Sequence, residues 1–281
     1  MSREPGAKLD HGWIPLCVPE VGGAEWTYVK ECLDTGWVSS VGAYVERFER
    51  ELAEIVGTRH AVAVVNGTAA LHVALMVAGV EPGDEVLVND LTFIAPANAI
   101  RYAGAVPVFI DADPETWQMS VPVLSRFLEQ ECTREGSVLR RRVTGRRVSG
   151  ILPVHILGGV CDIAAIRSLA EQYGLPVIED ATEALASRTA GAFGRAGCFS
   201  FNGNKIITTG GGGMLVTDDD ALASRARYLT TQAKDDAVEF VHGVVGYNYR
   251  LTNVLAAIGC AQLEQLPTII KAKRRIAATY R

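Results

Sequence analysis

Ala61-Val62-Ala63-Val64-Val65-Asn66-Gly67-Thr68-Ala69-Ala70-Leu71-His72-Val73-Ala74-Leu75 runs from a short apolar stretch through one polar turn into a second apolar stretch. The first five residues predict a buried strand over 61–65, and the residues after the turn predict a helix over 69–78. The longest apolar run of the chain, 61–80, contains this segment. Asn66, Gly67, Thr68 and His72 would lie mid-bilayer, which argues against a membrane span. A strand that feeds a helix through a glycine turn is the repeating unit of an α/β sheet.

The same alternation continues on the C-terminal side. Strands are expected over 85–88, 106–110, 150–154 and 176–179, with helices over 95–103, 122–131 and 163–173 between them. Gly79, Pro82-Gly83, Gly104 and Gly174 punctuate the joints. This spacing defines an α/β fold with a mostly parallel central sheet flanked by helices. Past Gly197 two short strands are expected, over 198–201 and 214–217, then a helix over 219–228 with Asp218, Asp219 and Asp220 at its electropositive start. A loop rich in tyrosine and asparagine, 243–250, precedes a helix over 252–265. A further helix begins at Thr268 and reaches Arg281 without a C-terminal cap.

On the N-terminal side, Tyr44, Phe48, Leu52 and Ile55 recur at helical spacing, with Glu46, Arg47, Arg50 and Glu51 facing away. A short helix over 23–33 precedes them. The loop Gly36-Trp37-Val38-Ser39-Ser40-Val41-Gly42 between the two helices reads either as a ligand contact or as a Trp-anchored turn. Residues 1–10 are polar and read as a mobile arm.

Composition narrows the class. Hydrophobic residues make up 48% and charged residues 21%, which describes a soluble globular protein. The net charge of −5 provides no global basic field for nucleic acid. Arg140-Arg141-Arg142 with Arg146-Arg147 is a local exception and reads as a solvated hairpin or loop. The six cysteines form no Cys-x-x-Cys pair, and none stands at zinc-ligand spacing from a histidine. Scattered single cysteines point to a reducing cytoplasm and to no metal site.

Chemistry-bearing residues gather at three strand ends, where parallel sheets bind ligands. At Asn66-Gly67-Thr68-Ala69, Gly67 allows a tight turn. Thr68 and Ala69 then offer N–H groups and a hydroxyl to an anion, unless Thr68 is a plain N-cap. At Glu179-Asp180-Ala181-Thr182-Glu183, Asp180 lies at the crevice floor, with Glu183 one turn further on. It can meet a cation, a helix cap, a metal or a protonated pyridine nitrogen. At Cys198-Phe199-Ser200-Phe201-Asn202-Gly203-Asn204-Lys205, one lysine lies between an aromatic strand and the glycine run Gly210–Gly213. That position suits either a covalent imine or a phosphate loop. Neither a Gly-x-x-x-x-Gly-Lys-Ser/Thr loop nor a Gly-x-Gly-x-x-Gly turn is present. Taken together, a phosphate cradle, a buried carboxylate and a lone lysine are the three partners that pyridoxal phosphate requires.

Four motifs carry a family resemblance along essentially the whole chain: 66–71, Glu179-Asp180-Ala181, 200–205, and Gly246-Tyr247-Asn248-Tyr249-Arg250-Leu251-Thr252. The chain resembles the sugar aminotransferases of the DegT/DnrJ/EryC1/StrS family, which have the fold-type I architecture of pyridoxal phosphate-dependent transferases. It is most similar to the branch acting on UDP-4-keto-6-deoxy-N-acetylglucosamine in bacillosamine and legionaminic acid pathways. The cues are 34–42, 230–236 and the basic insert near Arg140.

The resemblance implies that Lys205 is the Schiff-base lysine and proton shuttle, that Asp180 holds the pyridine N1–H, and that Glu183 contacts the phenolic O3′. It implies that Thr68, Ala69 and Ser200, at the Gly67 turn, hold the phosphate, and that Phe93 covers the ring face. Asn248 would reach the phosphate of a neighbouring subunit, making the active unit a homodimer. His155 either lines the pocket or is a hydrogen-bonded structural residue. Glutamate is the implied amino donor, and the implied alternatives are a GDP-perosamine-type substrate or a non-catalytic cofactor-binding fragment. The family's segment at 185–191 is longer and usually carries an aromatic residue. The expected organisation is an arm over 1–22, a cofactor-binding large domain over 23–265, and the start of a linker helix over 266–281 to a small C-terminal domain missing from the chain.

Overall fold

A computed structural model describes residues 17–187, 190–236 and 238–280. Most of the N-terminal arm, Arg188 and Thr189 of the 185–191 segment, and the final Arg281 lie outside the described residues.

The chain runs α1 (Glu25–Thr35), α2 (Ala43–Val56), β1 (His60–Val64), α3 (Gly67–Val77), β2 (Glu85–Asn89), α4 (Ile94–Tyr102), β3 (Val106–Ile110) and α5 (Val121–Gln130). It continues through β4 (Cys132–Glu135), β5 (Val138–Arg141), β6 (Val148–Leu152), α6 (Ile163–Tyr173), β7 (Ile178–Asp180), β8 (Ala196–Ser200), β9 (Gly213–Thr217), α7 (Asp220–Thr230) and α8 (Asn253–Tyr280).

Strands β3, β2 and β6 pair in parallel, and so do β7 and β8. Bridges at Ile151–Val177 and Val154–Asp180 join the two groups, giving the order β3-β2-β6-β7-β8-β9-β1. Among the described strands of this sheet β9 alone runs antiparallel to the rest, paired on both sides. The carboxyl ends of the other six strands therefore share one edge, and β9 begins on that same edge at Gly213. β4 and β5 form the hairpin expected around Arg140, pinned by Arg140–Glu135 and by Arg147–Asp84.

Helices cover both faces. Leu71, Leu75, Ile100 and Ala226 pack on one face of β1 and β9. Phe48, Leu52, Cys260 and Leu263 pack on the opposite face. Strand alternation divides β9 between them, with Leu215 on the first face and Met214 and Val216 on the second. Gly259 in α8 makes room for Phe48, whose ring atom would lie 2.7 Å from an added Cβ. Phe48 in turn meets Phe201 edge-on at 5.0 Å.

Two expectations need correction. α3 starts at Gly67, two residues earlier than the apolar pattern suggested, because the cap is Asn66 and not Thr68. The two helices expected on either side of Pro267 are one, α8, which runs unbroken over Asn253–Tyr280. A proline removes one backbone donor, and the packing of Leu263, Leu266, Ile269 and Ile270 on either side carries the helix past it.

At the β1–β9 junction an added Cβ on Gly213 would lie 2.4 Å from both the carbonyl carbon and oxygen of Asn66. Backbone cannot rotate away as a side chain can. Gly213→Ala should therefore destabilise the protein by about 1–3 kcal/mol or more in denaturant unfolding, whereas Gly211→Ala, whose added Cβ would meet only the Val65 carbonyl at 3.9 Å, should stay close to parental stability.

Candidate active site

One cavity of about 270 Å³ opens at the carboxyl edge of the sheet, lined by Gly67, Thr68, Phe93, Asp180, Glu183, Ser200 and Lys205 among others. Seven of the ten expected site residues thus converge although they come from four separate segments.

Lys205 sits on a turn closed at its base, where Phe201 N–H donates to the Gly212 carbonyl and Thr209 N–H to the Phe201 carbonyl. Its Nζ lies 3.3 Å from Glu183 Oε1, and the other Glu183 oxygen accepts the Leu157 N–H at 2.8 Å. Asn66 Oδ1 takes the Ala69 N–H at 2.8 Å. Ala69 therefore has a partner already, and the unbonded donors at the start of α3 are Gly67 and Thr68. Ser200 flanks them so closely that its Cβ would lie 2.8 Å from a methyl on Gly67.

Period-two alternation along β7 sends its two carboxylates to opposite faces. Glu179 is fully buried away from the cavity. It accepts hydrogen bonds from His155 Nε2 at 2.8 Å and from the N–H groups of Gly191, Phe193 and Gly194 at 2.9, 2.8 and 2.6 Å. Burial opposes its charge, but the His155 bond and these donors outweigh it and hold the carboxyl below its ordinary value. His155 Nδ1 accepts the Cys161 N–H at 3.2 Å, so the ring proton sits on Nε2 and goes to Glu179. His155 is thus a structural residue.

Asp180 faces the cavity and is 3% exposed. Its Oδ1 accepts the Thr182 N–H at 3.0 Å. Among the described residues no cation stands within ion-pair distance of it. Burial pushes its carboxyl above the ordinary value, with Thr182, Lys205 and His155 pulling the other way.

Phe93 caps the start of α4 and is 76% exposed at the cavity rim, which rules out a core role. Asn248 is not brought to this cavity within one chain. Its backbone pairs with Thr231 on the far side of β1. The loop 36–42 borders a different cavity of about 390 Å³ and is held by Asn253, whose Nδ2 donates to the Trp37 carbonyl at 2.7 Å. Trp37 is 58% exposed, so it does not anchor the turn by burial. Gly210–Gly213 serves partly as clearance for Thr209 and the Asn66 backbone, with Gly211 and Gly212 lining the cavity.

Asn66, Thr182 and Leu157 carry site geometry that the sequence reading did not assign. Asn66 was findable, since asparagine three residues before the accepted N–H is a strong cap signal. Leu157 had no sequence signal.

These features fit pyridoxal phosphate. A cradle that any Cβ would fill faces two free helix donors and a serine hydroxyl, suited to a phosphate. A buried carboxylate without a cation awaits a protonated ring nitrogen. A lysine amine opens onto the space between them.

The family model for DegT/DnrJ/EryC1/StrS aminotransferases matches residues 19–281, and the chain belongs to this family. It is 44% identical over 275 residues to "Putative pyridoxal phosphate-dependent aminotransferase EpsN" of Bacillus subtilis (strain 168), covering 96% of this chain and 68% of that protein. It is 45% identical over 273 residues to GDP-perosamine synthase of Escherichia coli O157:H7, covering 96% and 71%. The solved structure of DesI with its TDP-sugar product superposes with a TM-score of 0.78 at 32% identity, over 92% of this chain and 62% of that one. The chain thus spans about two thirds of the length of these relatives. Pyridoxal phosphate is the cofactor of this aminotransferase site.

The buried charge on Asp180 has a stability consequence. The folded state binds that proton more tightly than the unfolded chain, so its contribution falls as pH rises from the ordinary value of 3.8 through the folded one. At pH 7 the cofactor-free Asp180→Asn protein should therefore melt above the parent in thermal unfolding. Its cofactor affinity, measured by equilibrium dialysis, should instead fall at least about tenfold.

Proposed function

We propose that this chain carries the cofactor-binding unit, over residues 23–265, of a nucleotide-sugar aminotransferase. It transfers an amino group from glutamate to the keto carbon of a nucleotide-linked 4-keto-6-deoxy sugar in surface-glycan synthesis. The observation that carries this reading is the convergence of Lys205, Asp180 and the α3 N-terminus on one cavity.

Each residue has a physical task. Gly67 and Thr68 N–H groups and the Ser200 hydroxyl hold the phosphate. Asp180 keeps a proton on the ring nitrogen, and Phe93 covers the ring face. Glu183 is placed to meet the phenolic oxygen. Bound pyridoxal phosphate supplies the electron sink for moving an amino group. Lys205 attaches it covalently and, once released, carries a proton at Nζ, with Glu183 Oε1 at 3.3 Å beside it.

UDP-4-keto-6-deoxy-N-acetylglucosamine is the first substrate choice, supported by the motifs at 34–42 and 230–236. A GDP-linked sugar is the second, supported by the relative named GDP-perosamine synthase. A cytoplasmic setting is supported by the six free cysteines. Among the described residues no helix is long and apolar enough to cross a membrane.

Borohydride reduction of the cofactor-loaded protein followed by peptide mass analysis should place the adduct on Lys205, and Lys205→Ala should lose the adduct and all turnover. With glutamate, the UDP-linked keto-sugar should turn over at least about tenfold faster than the GDP-linked one. The reverse order selects the GDP reading. Cofactor binding with no turnover of either makes the chain a non-catalytic fragment.

Asn248 supports a homodimer in which each chain completes its partner's phosphate site. Lys205→Ala and Asn248→Ala proteins, each inactive alone, should regain about a quarter of parental activity when mixed and allowed to exchange. Half the dimers would then be mixed, with one intact site in two. No recovery would place Asn248 in its own chain's chemistry or outside it.

A further inference from the structure

A second lobe of about 590 Å³ adjoins the cofactor cavity and shares Phe93, Asp180, Thr182 and Glu183 with it. Its far wall is apolar and includes Trp117 and Leu157. Both residues have left-handed backbone, with φ of 64° and 55°. Large L side chains are disfavoured there, and glycine or asparagine would sit without cost. Neither gains burial in return: Trp117 is 54% and Leu157 74% exposed.

Hydrogen bonds impose both conformations. Trp117 N–H donates to the Asp113 carbonyl at 2.7 Å, and Asp113 N–H to the Gln118 carbonyl at 2.8 Å. The buried Gln118 amide then accepts the Ile156 N–H and donates to the Ile156 carbonyl, each at 3.2 Å. Leu157 N–H is fixed on Glu183. The two strained turns are thereby stitched to each other and to the carboxylate beside Lys205. Strain kept in place by its surroundings at a cleft is a mark of a functional clamp.

We propose that Trp117 and Leu157 form an apolar wall closing the Asp180 end of the cleft, which keeps water from that carboxylate and so strengthens its hold on the ring nitrogen of the cofactor. The wall rests on the cofactor assignment above. A carboxylate–cation pair gains strength as water leaves it, and the floor residue here is an unpaired carboxylate. The Thr92 hydroxyl, buried without a partner, lies on the same lobe. Both residues act as positioning residues.

Leu157→Gly separates this role from a structural one. It removes the side chain and the left-handed penalty, and it keeps the N–H bonded to Glu183. The cofactor-free variant should melt at or above the parental temperature, and its pyridoxal phosphate affinity, read by fluorescence titration, should be weaker by about fivefold or more. Trp117→Phe should bind within about threefold of the parent and Trp117→Ala should be at least about tenfold weaker, because the ring and not the indole N–H builds the wall. Leu157→Gly affinity within fivefold of the parent overturns the wall, as does a fall in its cofactor-free melting temperature. A parent protein that holds no pyridoxal phosphate overturns the cofactor assignment and the wall with it.

Discussion

Strands β1 and β8 are separated by β9, which at ordinary strand spacing sets them about 9–10 Å apart. The turn leaving β1 nevertheless places Gly67 against Ser200 at the end of β8. It does so by crossing over the first residue of β9, Gly213, whose missing side chain admits the Asn66 backbone. Two glycines thus bridge a two-strand gap, and the α3 N-terminus arrives beside the strand that leads to Lys205. Without this crossing, the helix donors and the lysine would open onto different parts of the edge. The single antiparallel strand matters for the same reason, since only a strand that begins at this edge presents its first residue to the crossing turn.

Adjacent carboxylates on β7 show how one strand can serve structure and chemistry together. Glu179 takes four donors and is settled as an anion, fastening the 191–194 loop and His155 under the sheet. Asp180, one residue later and facing the other way, is buried with Thr182 alone beside it as a hydrogen-bond donor, through its backbone N–H and its side chain. Burial of an unpaired charge works against folding, and a protonated ring nitrogen held there, as proposed, would relieve it. On that proposal the cofactor would add to the stability of the fold as well as to its chemistry.

Much of this was legible in the sequence because the signals were local. The β1 turn, the β7 carboxylates and the Lys205 turn each follow a strand. In a parallel sheet all such ends meet at one edge, so Lys205, Asp180, Glu183 and Gly67 could be grouped before any coordinates. Legibility failed where geometry is set by partners remote in sequence. The cap weighed for Thr68 as an alternative is made by Asn66, a matter of where the helix begins. α8 was divided at Pro267 because proline is a strong local break, whereas packing against α1 and α2 runs through the first half of that helix. Trp117 and Leu157 read as ordinary apolar residues, since a left-handed backbone forced by Gln118 and Glu183 leaves no trace in composition or period.

The aim of Lys205 is set from outside its own turn. Thr208 N–H donates to Gln262 Oε1 at 3.1 Å, and Gln262 Nε2 donates to Glu25 Oε1 at 2.6 Å and to the Glu20 carbonyl at 2.7 Å. Glu25 also accepts the Gly23 N–H at 2.8 Å, at the entry to α1. A buried amide on α8 thus locks the lysine turn to the first helix through an unbroken chain of donors and acceptors. Glu25 Oε1 is also held by Gln265 Nε2 at 2.8 Å, so the weak point is Gln262 itself, whose loss leaves the buried Thr208 N–H without its acceptor. Lysine is a flexible side chain, and a turn with three glycines after it is a flexible backbone. The covalent role proposed for Lys205 requires rigidity, and α8 and α1 supply it through this chain although neither lines the cavity.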